Sequence, residues 1–206
     1  MIVPLLDFLD ADALACARGG RLVFQGLSLR AHAGDIVAIE GPNGSGKTSL
    51  LRVLAGLLVP SEGTVCLRAA HREYRDPEER RELVGWLGHQ EGVRSQLTAA
   101  ENLQFFARLY GLVLDCARLL GEVGLTSAAD LPCQYLSAGQ KRRLALARLQ
   151  LLTRPLWLLD EPFSVLDSRG RDLVREYLQQ HARSGGISIL ATHDPVGIPC
   201  SRLALG

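Results

Sequence analysis

The segment Gly41-Pro-Asn-Gly-Ser-Gly-Lys47-Thr48 fits the spacing G-x-x-x-x-G-K-[ST], and each fixed position has a physical reason. Gly44 and Gly46 let the backbone curl so that successive N–H groups converge on phosphate oxygens. A helix beginning at Lys47 adds its positive N-terminal end, Lys47 supplies a mobile point charge between β- and γ-phosphates, and the Thr48 hydroxyl is a ligand for Mg²⁺. Further along, Asp160-Glu161 follows the apolar run Leu156-Trp-Leu-Leu159. Side chains leave a strand alternately, so the two carboxylates can hold two roles: Asp160 on the metal through its water shell, Glu161 polarising an attacking water. An ordinary acid pair facing solvent is the bland alternative. Leu136-Ser-Ala-Gly-Gln140 opens a helix with Ser137 and Gln140 as a capping box; helix capping alone would explain them, but the N–H groups there also suit a second anion-binding surface. Gly139 in that first turn costs helix propensity, which points to a backbone that something approaches closely. His193 closes the set at the end of the strand-like Ile187–Thr192 stretch, where it is placed either to contact a γ-phosphate or to act as a satisfied structural histidine.

These groups need an α/β scaffold. Ile36-Val-Ala-Ile39 suits a strand buried on both faces, and Leu50, Leu51, Val53, Leu54, Leu57 and Leu58 recur with helical spacing. Leu83–Leu87 and Leu156–Leu159 add buried strands, and Ile187–Thr192 is read as the last one. Short β-like pieces in residues 1–33 and at Gly63–Leu67 read as a small antiparallel sheet beside the phosphate loop. His71–Glu82, dense in both charge signs, reads as a solvated connector. From Leu97 to about Leu125 the pattern is helical, with a capping box at Thr98 and Glu101 and a second helix at Asp115–Val123; Phe105, Phe106 and Tyr110 read as core of an inserted lobe.

Composition narrows the partners. The chain has 206 residues, enough for one core without staples, and 23 Lys plus Arg against 22 Asp plus Glu give a net charge of +1. That balance offers no electrostatic case for nucleic acid. Five scattered cysteines show no C-x-x-C pair and read as small buried hydrophobes in a reducing compartment. The N-terminal MIVPLLDFLD lacks a basic region and carries Asp7 and Asp10, so it does not read as a signal peptide. No apolar run reaches the roughly 18 residues of a bilayer span, so work at a membrane would need another chain to cross it.

Taken in order, GPNGSGKT, LSAGQ, LLDEP, SVLD and His193 resemble the ATPase subunits of ABC transporters over essentially the whole chain. Within that family, IEGPNGSGKTSLLRVLAGL, LGHQEGVRSQLTAAENLQFFARLYG, LPCQYLSAGQKRRLALARL and WLLDEPFSVLD look closest to the ATP-binding subunit of the bacterial haem exporter of cytochrome c maturation. The resemblance implies a single ABC-type P-loop NTPase domain (RecA-like core) over residues 1–206, with a small antiparallel β subdomain and a helical lobe at about 92–150. It implies ATP and Mg²⁺ as ligands, with Gly41, Pro42, Asn43, Gly44, Ser45, Gly46, Lys47, Thr48 and Ser49 on the triphosphate. It further implies Thr48, Asp160 and Gln90 at the metal, Glu161 and His193 in catalysis, and Asp167 as the D-loop aspartate. Ser137, Gly139 and Gln140 would complete the ATP site of a partner protomer in a head-to-tail homodimer. By register His89 takes the place where most relatives carry a glutamine, and residue chemistry favours Gln90 as the contact. The base-stacking aromatic of many relatives is missing, leaving Cys16 and Arg18 as local candidates. The implied setting is peripheral, at the cytoplasmic face of the inner membrane, beneath integral-membrane subunits that handle haem or a haem carrier. Two other readings stay open: a non-transport ABC ATPase, and an ATP-gated interaction module with little hydrolysis.

Overall fold

The computed structural model describes residues 4–89 and 92–205. The chain divides into two compact units: 1–86, 154–162 and 178–206 form one, and 87–153 and 163–177 the other.

The first unit holds two sheets. Strands β1 (Phe8–Arg18), β2 (Arg21–His32), β4 (Glu62–Ala69) and β5 (Arg72–Tyr74) form an antiparallel sheet in the order β2-β1-β4-β5. The short pieces expected near the N-terminus are thus two long strands, interrupted by register shifts at positions such as Ala11–Leu14. Strands β3 (Ile36–Glu40), β6 (Val84–Leu87), β7 (Leu156–Asp160), β8 (Ile187–Ala191) and β9 (Ser201–Ala204) form the second sheet, ordered β6-β7-β8-β3-β9. Its pairs β7-β8, β8-β3 and β3-β9 are parallel. Every residue of β7 and β8 is buried, as expected of parallel strands covered on both faces. Helix α1 (Lys47–Leu54) joins both sheets in one core, where Leu50, Leu51, Val53 and Leu54 pack with Leu9, Leu14, Leu67, Leu158 and Ile189.

Two sequence readings need correction in this unit. His71–Glu82 is more than a connector: it contains β5 and the short helix α2 (Pro77–Arg81). Asp76 caps that helix by accepting from the N–H groups of Glu78 (2.7 Å) and Glu79 (3.2 Å), with Pro77 in the first turn. Its Arg80 is buried and donates to the carbonyls of Val65 and Arg75, both at 2.8 Å. The second correction is β9, an additional strand beyond Ile187–Thr192 that pairs with β3.

The second unit contains α3 (Ala99–Leu109), α4 (Cys116–Glu122), α5 (Ala138–Leu152) and the first part of α6 (Ser168–Arg183). Asn102 ties its loops together, accepting from the Arg94 N–H (2.8 Å) and donating to the carbonyls of Arg94 (3.0 Å) and Thr98 (2.9 Å). The buried face of α3 is Ala99, Asn102, Leu103 and Ala107. Phe105 and Phe106 are half-buried, lying under the guanidiniums of Arg94 and Arg148, and Tyr110 is exposed. The aromatics therefore flank the lobe core rather than form it.

Candidate functional site

Three neighbouring parallel strands, β7, β8 and β3, deliver their C-terminal ends to one edge of the first unit. Ligands bind outside the carboxyl ends of strands in such sheets. The loop leaving β3 bends through Gly44 (φ +85°) and Gly46 (φ +101°), both in the left-handed region. A Cβ on Gly46 would come within 2.4 Å of Val23 Cγ1, and one on Gly41 within 2.1 Å of the Leu205 carbonyl oxygen. Both walls come from segments far from the motif in sequence. Lys47 is buried and donates from Nζ to the carbonyls of Gly41 (2.7 Å) and Pro42 (3.0 Å), so the cation already spans the loop's mouth. Ser45 Oγ is buried without a hydrogen-bond partner, an orphan polar atom of the kind an anionic oxygen satisfies.

From the end of β7, Asp160 accepts the Thr48 hydroxyl at 2.9 Å and 3.1 Å. An alcohol and a carboxylate converging beside a phosphate loop form the hard oxygen donor set that suits Mg²⁺. Glu161 follows with φ +49°, a conformation that costs a non-glycine residue about 1–2 kcal/mol, and its N–H is held by the Ala191 carbonyl at 2.8 Å. That twist separates the two carboxylates. Asp160 stays on Thr48, while Glu161 Oε1 lies 3.4 Å from His193 Nε2 and Oε2 accepts the His193 backbone N–H at 3.3 Å. Lys47, Thr48, Asp160, Glu161 and His193 are thus gathered in one unit.

Cys16, which is buried, and Arg18, which is exposed, lie on β1 of the first unit, whereas Ser137, Gly139, Gln140 and Asp167 lie in the second. Ser137 is exposed and caps α5: its Oγ accepts the Gln140 N–H (3.2 Å), and Gln140 Oε1 accepts the Ser137 N–H (2.9 Å). A Cβ on Gly139 would stand 3.0 Å from the Val165 carbonyl oxygen, so the close approach that this glycine permits is made by the chain itself. Asp167 accepts the Gly170 N–H at 2.9 Å and bonds Arg143; these contacts, the N–H first, hold its carboxyl below the usual carboxylate range. Gln90 lies outside the described residues. His89 is exposed. Arg142 and Arg148 went unremarked in the sequence, yet they donate to the carbonyls of Gly88 (2.7 Å) and Gly92 (2.9 Å), on either side of positions 90 and 91. Arginines at i and i+6 on a helix of Leu and Ala carried no signal that their targets were backbone.

The model of the family described as ABC transporter matches residues 24–164, taking in the phosphate loop, Ser137–Gln140 and the Asp160-Glu161 strand end. The chain belongs to the ABC transporter family. This ABC chain is 46% identical to the cytochrome c biogenesis ATP-binding export protein CcmA of Bradyrhizobium diazoefficiens, over 96% of its own length and 98% of the relative's. It is 48% identical to the protein of the same name from Pseudomonas fluorescens, over 90% of this chain and 88% of that one. A solved ATP binding subunit of an ABC transporter superposes with a TM-score of 0.79 at 26% identity, covering 90% of this chain and 79% of that chain. An ABC transporter ATP-binding protein from Pyrococcus furiosus shares the fold, with a TM-score of 0.81 at 21% identity over 96% and 97% of the two chains. The protein is accordingly an ABC ATPase with a P-loop α/β fold, the family and fold that its motifs imply. No helix among the described residues is long and apolar enough to cross a membrane.

Proposed function

We propose that this chain is the ATP-hydrolysing subunit of a membrane complex that exports haem, or releases it from a carrier, in cytochrome c biogenesis. The observation that carries the chemistry is the division of labour at the end of β7: Asp160 on Thr48, Glu161 beside His193. Thr48 and Asp160 would hold Mg²⁺, which when bound neutralises developing charge on the phosphates. Lys47 exchanges its two loop carbonyls for phosphate oxygens, and the backbone N–H groups of residues 43–49 cradle the rest. Glu161 acts as general base, accepting a proton from water aligned with the γ-phosphate, while His193 orients that water and the γ-phosphate oxygens. Catalysis is then positioning plus electrostatics. Glu161→Gln keeps the shape of the side chain but not its basicity. It is expected to leave ATP affinity unchanged and to lower turnover by about 10²–10⁴-fold in a phosphate-release assay; full activity would remove Glu161 from this role.

The names of the curated relatives support the cytochrome c biogenesis setting. The chain would work as a head-to-tail homodimer at the cytoplasmic face of the inner membrane, with two ATPs between protomers and integral-membrane subunits above. A groove of about 610 Å³ in the second unit supports a docking site there: it is lined by Leu97, Glu101, Gln104, Phe105, Arg108 and Leu109, and Leu109 is 61% exposed. An apolar and charged segment of a membrane subunit fits that lining. The setting is tested by affinity purification from detergent-solubilised membranes of the host, with mass spectrometry and a haem absorbance spectrum. Recovery of small integral-membrane proteins with haem, released by ATP from wild type but not from Glu161→Gln, is the expected result. Membrane partners without haem would keep the ATPase and discard the cargo.

A further inference from the structure

Arg80 on α2 is a buried cation with no carboxylate in an ion pair among the described residues. It is 4% exposed; its Nη1 donates to the carbonyls of Val65 and Arg75, its Nη2 comes within 3.5 Å of the Val53 carbonyl oxygen, and its Nε has no hydrogen-bond partner. The acids of α2 and its caps are engaged elsewhere or face solvent. Asp76 caps the helix, Glu79 pairs with Arg72 at 2.8 Å, Glu82 lies 3.8 Å from Arg154, and Glu78 is exposed. Taking a charge out of water without an opposite charge beside it is costly, and burial pulls the guanidinium's pKa below its ordinary value, with Asp76 opposing. Something other than a counter-ion holds this group.

What it faces is the C-terminal end of α1. Val53 lies in the last turn of that helix, and just beyond it the Gly56 carbonyl is gripped by Arg81 from Nε (3.0 Å) and Nη2 (2.8 Å). The chain leaving α1 and the start of α2 are pressed together: Gly56 has φ +74°, and a Cβ on it would stand 2.6 Å from the Pro77 carbonyl oxygen. Arg52 is the helix's own base in its last turn, and the first turn holds no acid. Helices ordinarily favour acids at the positive end and bases at the negative end. α1 has bases from two elements at its negative end and no acid at its positive one, where the loop is shaped to hold an anion.

We propose that Arg80 and Arg81 are positioning residues for phosphate binding that act through α1, fixing its C-terminal end and lending their positive charge to the anion at its N-terminus. This rests on the reading of Gly41–Thr48 as the ATP phosphate loop. The helix rises roughly 9 Å between Lys47 and Val53, so a guanidinium at Val53 stands about 15 Å from a phosphate in the loop. Across a weakly polar interior, a unit charge at that range changes an anion's affinity by about fivefold. Arg80 is buried, so salt screens its share little, whereas Arg81 is exposed and its share fades as salt rises.

Pyrophosphate with Mg²⁺ engages the phosphate loop without a base or hydrolysis, and calorimetry well below each variant's melting midpoint reads its affinity. Arg80→Met keeps an unbranched stem and removes the charge; it is expected to bind pyrophosphate about fivefold more weakly than wild type, at low and high salt alike. Arg80→Lys keeps the charge without the fork, so its affinity should stay within about twofold of wild type even though its melting midpoint falls. Unchanged affinity in Arg80→Met would leave Arg80 a structural residue and overturn the proposal. An equal loss in Arg80→Lys would trace the effect to hydrogen bonds rather than charge and overturn it too. Where Arg80→Met does not fold, Arg81→Gln takes its place: a loss of about two- to threefold at low salt that vanishes at high salt is expected, and wild-type affinity at low salt overturns the proposal. Failure of wild type to bind pyrophosphate would instead bring down the phosphate-loop reading on which the proposal stands.

Discussion

At Gly46 two demands coincide, a left-handed backbone and a neighbour too close for any side chain, while at Gly44 only the first applies. A Cβ on Gly44 meets nothing within 4 Å, but one on Gly46 runs into Val23 at 2.4 Å. Gly44→Ala should therefore cost about 1–2 kcal/mol of backbone strain, and Gly46→Ala about 3 kcal/mol, because β2 must also shift. Urea titration of the two variants separates the costs, and equal values would mean that Val23 yields freely. Another residue-level prediction concerns His181, stacked on Trp157 with ring centroids 4.0 Å apart. Its Nε2 faces the Arg154 carbonyl at 2.9 Å and must donate there, so Nδ1 accepts the Ser188 hydroxyl, also at 2.9 Å. Burial pushes the imidazolium pKa down to about 4 from 6.5, against the weaker opposing pull of the Arg154 carbonyl. A depressed folded pKa means that the unfolded chain takes up the proton first. The stabilisation is then complete above pH 6.5 and is lost as pH falls from 6.5 to about 4. Relative to His181→Gln, which still donates to Arg154 but does not titrate, wild type should lose roughly 3 kcal/mol across that window in denaturant titrations. A constant difference would show that the histidine titrates alike in the folded and unfolded states, so that burial does not depress its pKa.

Helix α5 illustrates how an element can carry several parts of a site without touching the chemistry. Its N-terminus presents Ser137, Arg143 from its second turn bonds Asp167, and Arg142 and Arg148 grip the carbonyls of Gly88 and Gly92. Arg142 is 1% exposed. Truncating it to alanine leaves a cavity and a buried carbonyl without its donor, and should cost about 3–5 kcal/mol in chemical denaturation. A loss under 1 kcal/mol would mean that water replaces the guanidinium. What was legible in the sequence follows the same logic of elements. Strands β3, β7 and β8 were readable because both their faces are covered: β3 and β7 each open with four apolar residues, β8 is interrupted only by the buried Ser188, and each is followed by a motif. β9 escaped because it is four residues long and largely exposed, and backbone pairing rather than burial defines it. α2 was hidden by charge, although Asp76-Pro77-Glu78-Glu79 is a helix start in its own right, and the burial of Arg80 follows from carbonyl targets distant in the chain. The gathering of Lys47, Thr48 and Asp160 at one strand edge could be read from the motifs. The walls that require Gly41 and Gly46 to be glycine could not, since Leu205 and Val23 reach them only through the fold.

For the whole molecule, the residues proposed for the site fall into two sets, one in each unit. Lys47, Thr48, Asp160, Glu161 and His193 belong to the first unit; Ser137, Gly139, Gln140 and Asp167 belong to the second. The proposed pairing of one protomer's first set with its partner's second set places the N-terminus of α5 opposite the terminal phosphate. The exposed N–H groups there add to the helix dipole a site for the γ-phosphate charge that ADP lacks. A net charge of +1 leaves little repulsion between two copies, and in the proposed pairing the anionic ligand decides association. Glu161→Gln, which keeps ATP intact, should therefore sediment as a dimer with ATP and Mg²⁺ and as a monomer with ADP. Adding Ser137→Arg, which fills the helix N-terminus with a long side chain and removes the cap, should abolish the ATP-driven dimer while leaving ATP binding to each protomer in place. Dimers that form equally with ADP, or that survive the Ser137 substitution, would mean that the two copies meet through some other surface and that each ATP site is complete within its own chain.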